Sequence, residues 1–175
     1  MKYRVKRHTV TQPLDKPYRF IPLTQNQNAI VDAADFEWLS QWNWVANWNP
    51  LAQCFYAMRT APNHLFIAMH RQILGCTKSE EADHRNHNTL DNRRKNIRKC
   101  SPSQNQANRR IQRNNTSGFC GVSWNKRNSK WRVRVVVNRK EIHVGTFNSA
   151  EEGGHAYDIA ATKYFGPFAH LNFPH

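Results

Sequence analysis

The sequence predicts an α+β protein with two units in its 175 residues. Three observations lead to this prediction: a strand–strand–helix pattern in the middle of the chain, three alternating strand-like segments after it, and a capped helix that follows them. The expected boundaries are 1–108 for the first unit (with a ββα finger at about 80–108), 109–117 for a basic linker, and 118–175 for the second unit.

The charge balance favours a polyanionic partner. Lys and Arg number 26 against 12 Asp and Glu, which gives a formal charge of +14 and a pI near 10.2. Residues 83–113 hold nine Lys or Arg and two Asp. Such an imbalance is typical of nucleic-acid binding, so we expect a nucleic acid as the partner.

Other classes of protein are disfavoured by composition. No stretch approaches the roughly 20 apolar residues of a membrane span, so no membrane association is expected. The start MKYRVKRHTV lacks the apolar core of a signal peptide, which predicts a cytoplasmic location, in a bacterial or phage-infected cell. The four cysteines form no Cys-x-x-Cys pair, so reduced, structural thiols are expected.

In the first unit, AIVDAADFEWLSQWNW predicts a short strand and then a helix that opens near Asp32 or Asp35. The tryptophans in this stretch are expected in the core. CFYAMRT (54–60) predicts a strand. LFIAMHRQILG (65–75) has apolar residues at helical spacing and predicts a helix that ends at Gly75.

The middle of the chain predicts a ββα arrangement. EEADHRN (80–86) and RKNIRKC (94–100) are expected to pair as strands, with the residues between them as a loop. Ser101 is a good N-cap and Pro102 a good first helical residue, so a helix should follow through SQNQANRR. Asn105 would then lie on that helix.

The final third predicts three antiparallel strands and a helix. GFCGVSWN is the first strand. KWRVRVVVN (130–138) alternates, with Trp131 and three valines on one face and arginines on the other. NRK can turn, and EIHVGTF (141–147) returns. Ser149 and Glu152 form a capping box, and the inner face of the helix is small because of its alanines.

Residues 117–174 resemble the AP2 DNA-binding domain. The resemblance is carried by the Gly-Val of strand one, the Gly-x-Phe that ends strand three, AYDIAA in the helix and the closing LNFP. It implies a three-stranded sheet laid in the DNA major groove with one helix behind it.

Specific contacts follow from that resemblance. Cys120 and Ser123 stand where plant AP2 domains carry base-reading arginines, which puts a plant-type target site in doubt. The resemblance therefore implies that Arg132, Arg134 and His143 contact DNA.

The middle segment resembles the HNH nuclease finger, in the His-Asn-Asn variant of phage and intron-encoded homing endonucleases. DHRN (83–86), LDNRRKNIR (90–98) and the following Ser-x-x-Asn-x-x-Asn stretch carry the likeness. It implies a ββα-metal domain that hydrolyses phosphodiester bonds at specific sites. The implied roles are a general base for His84, loop bracing and His84 orientation for Asn96, and metal binding for Asp83 and Asn105.

The donor types of that site suit a hard cation. A carboxylate and an amide oxygen favour one Mg²⁺ or Mn²⁺ ion over Zn²⁺. Asn108 is the alternative helix ligand, and His70 and His87 are open as additional site residues or as packing and loop residues. The chain is expected to act as a monomer or a homodimer, which would decide between nicking and two-strand cleavage.

Basic residues near the finger are expected to contact phosphates, which position DNA without specifying sequence. The set comprises Arg85, Arg93, Arg94, Lys95, Arg98, Arg109, Arg110 and Arg113. The alternative function is a DNA-binding regulator that uses only the AP2-type domain, with the middle segment as scaffold.

Overall fold

The computed structural model of the protein describes residues 7–62, 64–112 and 114–174. The chain forms two compact units, Met1–Lys99 and Cys100–His175. The division lies earlier than the sequence predicts, because the helix that starts at Pro102 falls in the second unit. Helices and antiparallel sheets occur in both units, which confirms the α+β class. Among the described residues, no helix is both long and apolar enough to cross a bilayer.

The first unit contains seven short strands and two short helices within its described residues. They are β1 (Tyr18–Pro22), β2 (Asn28–Asp32), α1 (Ala33–Ser40), β3 (Val45–Asn49), β4 (Cys54–Thr60), β5 (Phe66–Ala68), α2 (Met69–Ile73), β6 (Glu81–His84) and β7 (Ile97–Cys100). β1 pairs with β2, β6 pairs with β7, and β3, β4 and β5 form a three-stranded antiparallel sheet in that order.

Tryptophan and aliphatic side chains form the core of this unit. Trp44 and Leu39 are fully buried, and the indole N–H of Trp44 donates to the Leu39 carbonyl at 2.8 Å. That bond satisfies the one polar atom of a large side chain placed in an apolar interior. Trp38 and Trp42 pack against the same core, so the expectation that these tryptophans are core residues is confirmed.

The prediction of a helix at 65–75 is wrong for the first half of that segment. Residues Phe66–Ala68 form β5, which pairs with β4, and the helix α2 begins only at Met69. A short apolar run fits a strand and a helix equally well, and the pairing with β4 decides the outcome. The predicted end at Gly75 is confirmed, since its φ of +60° suits glycine at a helix terminus.

The predicted strands of the middle segment form, although both are shorter than expected. The Arg85 amide donates to the Asn96 carbonyl at 2.8 Å, just beyond the end of β6. The loop between β6 and β7 is held on β2: the Ile30 amide donates to Leu90 O and the Asn92 amide donates to Ile30 O, each at 2.8 Å. The loop is therefore ordered by backbone bonds to a distant strand.

The second unit consists of α3 (Pro102–Ala107), β8 (Val122–Asn125), β9 (Lys130–Val137), β10 (Lys140–Phe147), α4 (Ala150–Phe165) and a 3₁₀ turn at Gly166–Phe168. Its strands form one antiparallel sheet in the order β10–β9–β8. The predicted three strands and helix are confirmed. The turn at Asn138 and Arg139 has positive φ at both residues, as a tight hairpin requires.

The helix α3 begins as the sequence predicts and ends early. Ser101 and Gln104 form a complete capping box in front of Pro102. The helix stops at Ala107, whose side chain is buried in the core of the second unit and whose carbonyl accepts from the His170 amide at 3.1 Å. These contacts explain why this helix belongs to the second unit.

Candidate nucleic-acid interface

The strand register sorts the side chains of the second sheet onto two faces. Val122 lies opposite Val133, and both are buried against α4. Alternation then places the neighbouring pair, Ser123 and Arg132, on the outer face. The same rule places His143 opposite Arg134 on that outer face. One side of this sheet is therefore apolar and covered, and the other side is polar and basic.

The helix α4 packs closely against the inner face of the sheet. A Cβ added at Gly153 would lie 3.0 Å from Val133 Cγ2, and one added at Gly154 would lie 2.9 Å from a Phe119 ring carbon. Two mid-helix glycines weaken a helix by about 1 kcal/mol each relative to alanine. A larger side chain at Gly153 would press against the strands, and one at Gly154 would press against Phe119 and Phe173.

The two residues that stand where plant AP2 domains carry base-reading arginines, Cys120 and Ser123, lie in different surroundings. Cys120 does not point to the outer face but packs against the core of the unit. Burial raises the pKa of its thiol, and a hydrogen bond involving the Tyr157 side chain partly offsets that rise. Ser123 is the outer-face residue of β8 opposite Arg132. Cys120 is thus a packing residue.

The two arginines of the outer face have different surroundings. The Arg134 guanidinium donates through Nη1 to Glu141 Oε2 at 2.6 Å, and 42% of the Arg134 side chain is exposed. Arg132 is half-buried and makes no side-chain hydrogen bond or ion pair within the described residues. His143 is exposed beside them. This cluster provides hydrogen-bond donors on the outer face of the sheet.

Most cations of this unit are available to a polyanion. Residues 100–175 contain eleven Lys or Arg and four Asp or Glu. Among the Lys and Arg side chains that the structure describes in this unit, only Arg134 is in an ion pair. Unneutralised cations attract phosphates and release counterions when DNA binds.

The arginines of the middle segment are placed differently, because three of them are in ion pairs with aspartates of the first unit. The Nε and Nη2 atoms of Arg93 donate to Oδ1 and Oδ2 of Asp91 at 2.7 and 2.6 Å. The Nε and Nη2 atoms of Arg94 donate to Oδ2 and Oδ1 of Asp35, each at 2.8 Å. The Arg94–Asp35 pair fastens the loop to α1, whereas the Arg93–Asp91 pair lies within the loop. Burial alone would raise the pKa of both carboxyls, but the arginines hold it below the usual value.

Arg98 is in the most buried of these pairs. Its Nε and Nη2 atoms donate to Asp83 Oδ2 at 3.0 and 2.9 Å, and each side chain is 8% exposed. A phosphate contact by Arg98 would require this pair to break. A divalent cation at Asp83 would have to compete with the Arg98 guanidinium for the carboxylate. The metal prediction is not tested by these contacts and stays a prediction.

The other predicted residues of the finger lie in two units. His84 is buried at the end of β6, and its Nε2 atom lies 3.4 Å from Asn92 Oδ1. Asn96 braces the loop, donating to Asp91 O at 2.7 Å and accepting from the Asn86 amide at 3.1 Å. Asn105 and Asn108 belong to the second unit, at α3 and its C-cap.

Two histidine rings of the first unit lie edge to face. The rings of His70 and His84 lie 4.6 Å apart, close to the Tyr56 ring. Burial lowers the pKa of His70 to about 3, and the positive charges near it act in the same direction. Burial also lowers the pKa of His84, although the Asn92 hydrogen bond opposes the shift. Burial thus disfavours the charged form of both rings, and His70 lies among packed side chains. His87 lies in the loop with a positive φ.

The remaining predicted cations are on the surface or outside the described residues. Arg85, Lys95, Arg109 and Arg110 are exposed, and Arg113 lies outside the described residues. Their DNA contacts stay predictions.

Sequence reasoning missed several residues of the outer face. Glu141 and Thr146 lie there by register, and the hairpin cations at both ends of β9 are exposed: Lys126, Arg127, Lys130, Arg139 and Lys140. The alternating pattern of β9 was sufficient to place Arg132 and Arg134 on the outer face. The bulge between His143 and Gly145 shifts the alternation in β10, and the glycine inside this strand is the sequence signal for it.

Comparison with known proteins finds relatives for about a third of the chain. A stretch of 59 residues is 39% identical to the ethylene-responsive transcription factor WRI1 of Arabidopsis thaliana, covering 34% of this chain and 13% of that protein. The AP2-like ethylene-responsive transcription factor AIL5 of the same plant is 39% identical over 59 residues, covering 33% and 11%. The AP2-like factor CRL5 of Oryza sativa subsp. japonica is 37% identical over 59 residues, covering 33% and 9%. No protein-family model matches the chain.

These relatives correct the expected activity. They are transcription factors, so the prediction of a site-specific, metal-dependent DNA endonuclease is wrong, and the alternative of a DNA-binding regulator is favoured. The roles of His84 as general base and Asn96 as its support were implied by the nuclease resemblance alone. The chain spans only about a tenth of the length of these relatives. The AP2 resemblance is supported, and the α+β second unit is consistent with an AP2-type domain.

Proposed function

We propose that the protein is a DNA-binding regulator whose second unit binds double-stranded DNA in a sequence-dependent manner. The observation that carries the proposal is the outer face of the β8–β10 sheet, which presents Arg132, Arg134 and His143 while α4 covers the opposite face. The similarity to AP2-like transcription factors supports it.

The outer face suits the major groove for physical reasons. A short antiparallel sheet fits the groove width, and its outward side chains can reach the edges of the bases. Arginine binds guanine through two parallel N–H donors, while other cations bind phosphates and set position. We assign base reading to the centre of the face and phosphate contacts to the exposed cations around it, including Arg109 and Arg110.

Part of the positive charge of the first unit is neutralised by ion pairs within that unit. Arg93, Arg94 and Arg98 are in ion pairs there, and exposed Arg85 and Lys95 are candidates for secondary phosphate contacts. The proposal therefore assigns the main DNA contact to the second unit. A monomer or homodimer and a cytoplasmic location stay predictions; sedimentation of the full chain would measure the first.

The direct test is selection of duplexes from a randomised library by the full chain, followed by affinity measurements at several salt concentrations. Arg132→Ala should weaken binding to the selected duplex by roughly ten-fold or more, in line with loss of one base or phosphate contact. Lys163→Ala is the matched control, because it removes one exposed cation from α4, the element behind the sheet. Equal losses in both variants, or no sequence enrichment by the wild type, would refute the proposal.

A further inference from the structure

The acidic residue Glu141 occupies an unexpected place on the outer face. Glu141 lies opposite Val136 in the register, and His143 lies opposite Arg134. Glu141 is therefore a diagonal neighbour of Arg134, at a separation that long side chains bridge. The bridge is present, with Glu141 Oε2 accepting from Arg134 Nη1 at 2.6 Å.

Stability does not explain a carboxylate at this position. The two side chains are 42% and 47% exposed, and ion pairs this exposed contribute little to folding. A negative charge on a face that binds DNA also repels phosphates, which weakens binding to every sequence. The carboxylate needs a role that offsets this repulsion.

Orientation of the Arg134 guanidinium provides such a role. An arginine carries five N–H donors in a rigid plane, and the contact with Glu141 uses Nη1. Donors on Nε and Nη2 stay available for a second acceptor pair such as O6 and N7 of guanine. A side chain that is already held loses less rotamer freedom when it binds, which favours a defined geometry over general attraction.

Arg132 provides the contrast on the same strand. It lies two residues away on the same face, yet no described residue restrains its guanidinium through a hydrogen bond or ion pair. An unrestrained arginine can follow a phosphate on any sequence, whereas a restrained one rewards only the base whose acceptors match.

We infer that Glu141 is a positioning residue: it orients Arg134 to read one base pair, most favourably a G·C pair, and its charge lowers affinity for all other duplexes. The inference rests on the proposed DNA-binding function and extends it to sequence selectivity. Arg134 is the base-reading residue and Glu141 acts through it.

Two substitutions separate the charge of Glu141 from its hydrogen bond. Glu141→Ala removes both, while Glu141→Gln removes the charge and keeps an acceptor for Arg134. Full-chain variants would be compared on the selected duplex, on a scrambled duplex, and in library selection. Glu151→Gln and Glu151→Ala are the matched controls. Glu151 is exposed in the first turn of α4, so these substitutions remove the same charge behind the sheet.

The expected result is a loss of selectivity that depends on the hydrogen bond. Glu141→Ala should reduce the selected-to-scrambled affinity ratio by about ten-fold, within the range of one bidentate base contact, and make one base position degenerate. Glu141→Gln should retain part of the ratio, and the same position should become degenerate in Arg134→Ala. The Glu151 variants should leave the ratio unchanged.

Equal ratios for Glu141→Ala and wild type, or identical behaviour of the Ala and Gln variants, would overturn the positioning role and leave only a surface charge. A wild-type protein with no preference for any duplex would instead overturn the proposed function, and the role of Glu141 with it. The wild-type ratio thus distinguishes the two failures. Circular dichroism of each variant checks that the exposed substitutions leave the fold unchanged.

Discussion

The buried pair of Asp83 and Arg98 provides a quantitative test of the structural role given to the middle segment. The two groups are 2.9 Å apart and each side chain is 8% exposed. At an effective dielectric constant of about 20, their attraction is about 6 kcal/mol, which the desolvation of both charges largely offsets. Removing one partner leaves the other charge buried without its counterion. We therefore expect Arg98→Met to destabilise the first unit by about 3–5 kcal/mol.

A double-mutant cycle isolates the interaction. Asp83→Leu should cost a similar amount, but the double variant should cost at least about 2 kcal/mol less than the sum of the single changes, because neither charge is then left alone. Urea unfolding followed by tryptophan fluorescence measures each value. Trp124→Phe and Trp131→Phe in the background leave all four remaining tryptophans in the first unit.

Lys99→Met is the control for the cycle. Lys99 follows Arg98 directly and pairs with Glu80, but both partners are well exposed, so its loss should change the urea midpoint far less. Additive costs for Asp83→Leu and Arg98→Met, within about 0.5 kcal/mol, would show that the pair is uncoupled and refute this reasoning.

Three further predictions concern pH, packing and metal. Burial lowers the pKa of His70 from 6.5 to about 3; the unfolded chain therefore binds more protons below pH 6.5, and stability should fall by about 2 kcal/mol between pH 7 and pH 5. Urea titrations at both values measure this, and His70→Phe should remove that share of the difference. Gly154→Ala should lower the thermal midpoint of the second unit despite its better helix propensity, because the new Cβ would lie 2.9 Å from a Phe119 carbon and 3.0 Å from a Phe173 carbon; a raised midpoint in a melting experiment would contradict this. Millimolar Mg²⁺ should leave the melting midpoint of the first unit unchanged, whereas a rise that Asp83→Asn abolishes would establish the metal site.

The second unit was predictable because its information is local. Alternation along β9, the turn at Asn138 and Arg139, and the capping box at Ser149 each act within a few residues. Period two alone identified Arg132 and Arg134 as outer-face residues. The close approach at Gly153 and Gly154 could not be predicted locally, because it depends on Val122, Val133, Phe119 and Phe173, which come from other parts of the unit.

The first unit was harder to predict because long-range contacts decide it. β1 and β3 have no clear local pattern, and each forms through pairing with a neighbour. The α3 helix was identified from its cap, yet its place depends on contacts of Ala107 with the core of the second unit and with His170. Local propensity predicts that an element exists, and burial determines where it packs.

The basic cluster at 83–113 shows why charge density along a chain is a weak guide to the surface that binds DNA. Nine cations and two aspartates lie in that window, which describes an unneutralised stretch. Asp91 and Asp83 pair with Arg93 and Arg98 inside the window, and further acid comes from far away in sequence, because Asp35 pairs with Arg94. In the second unit the few acids leave most cations without an ionic partner among the described residues. Accessible, unpaired charge is the quantity that attracts a polyanion, and it follows from the fold.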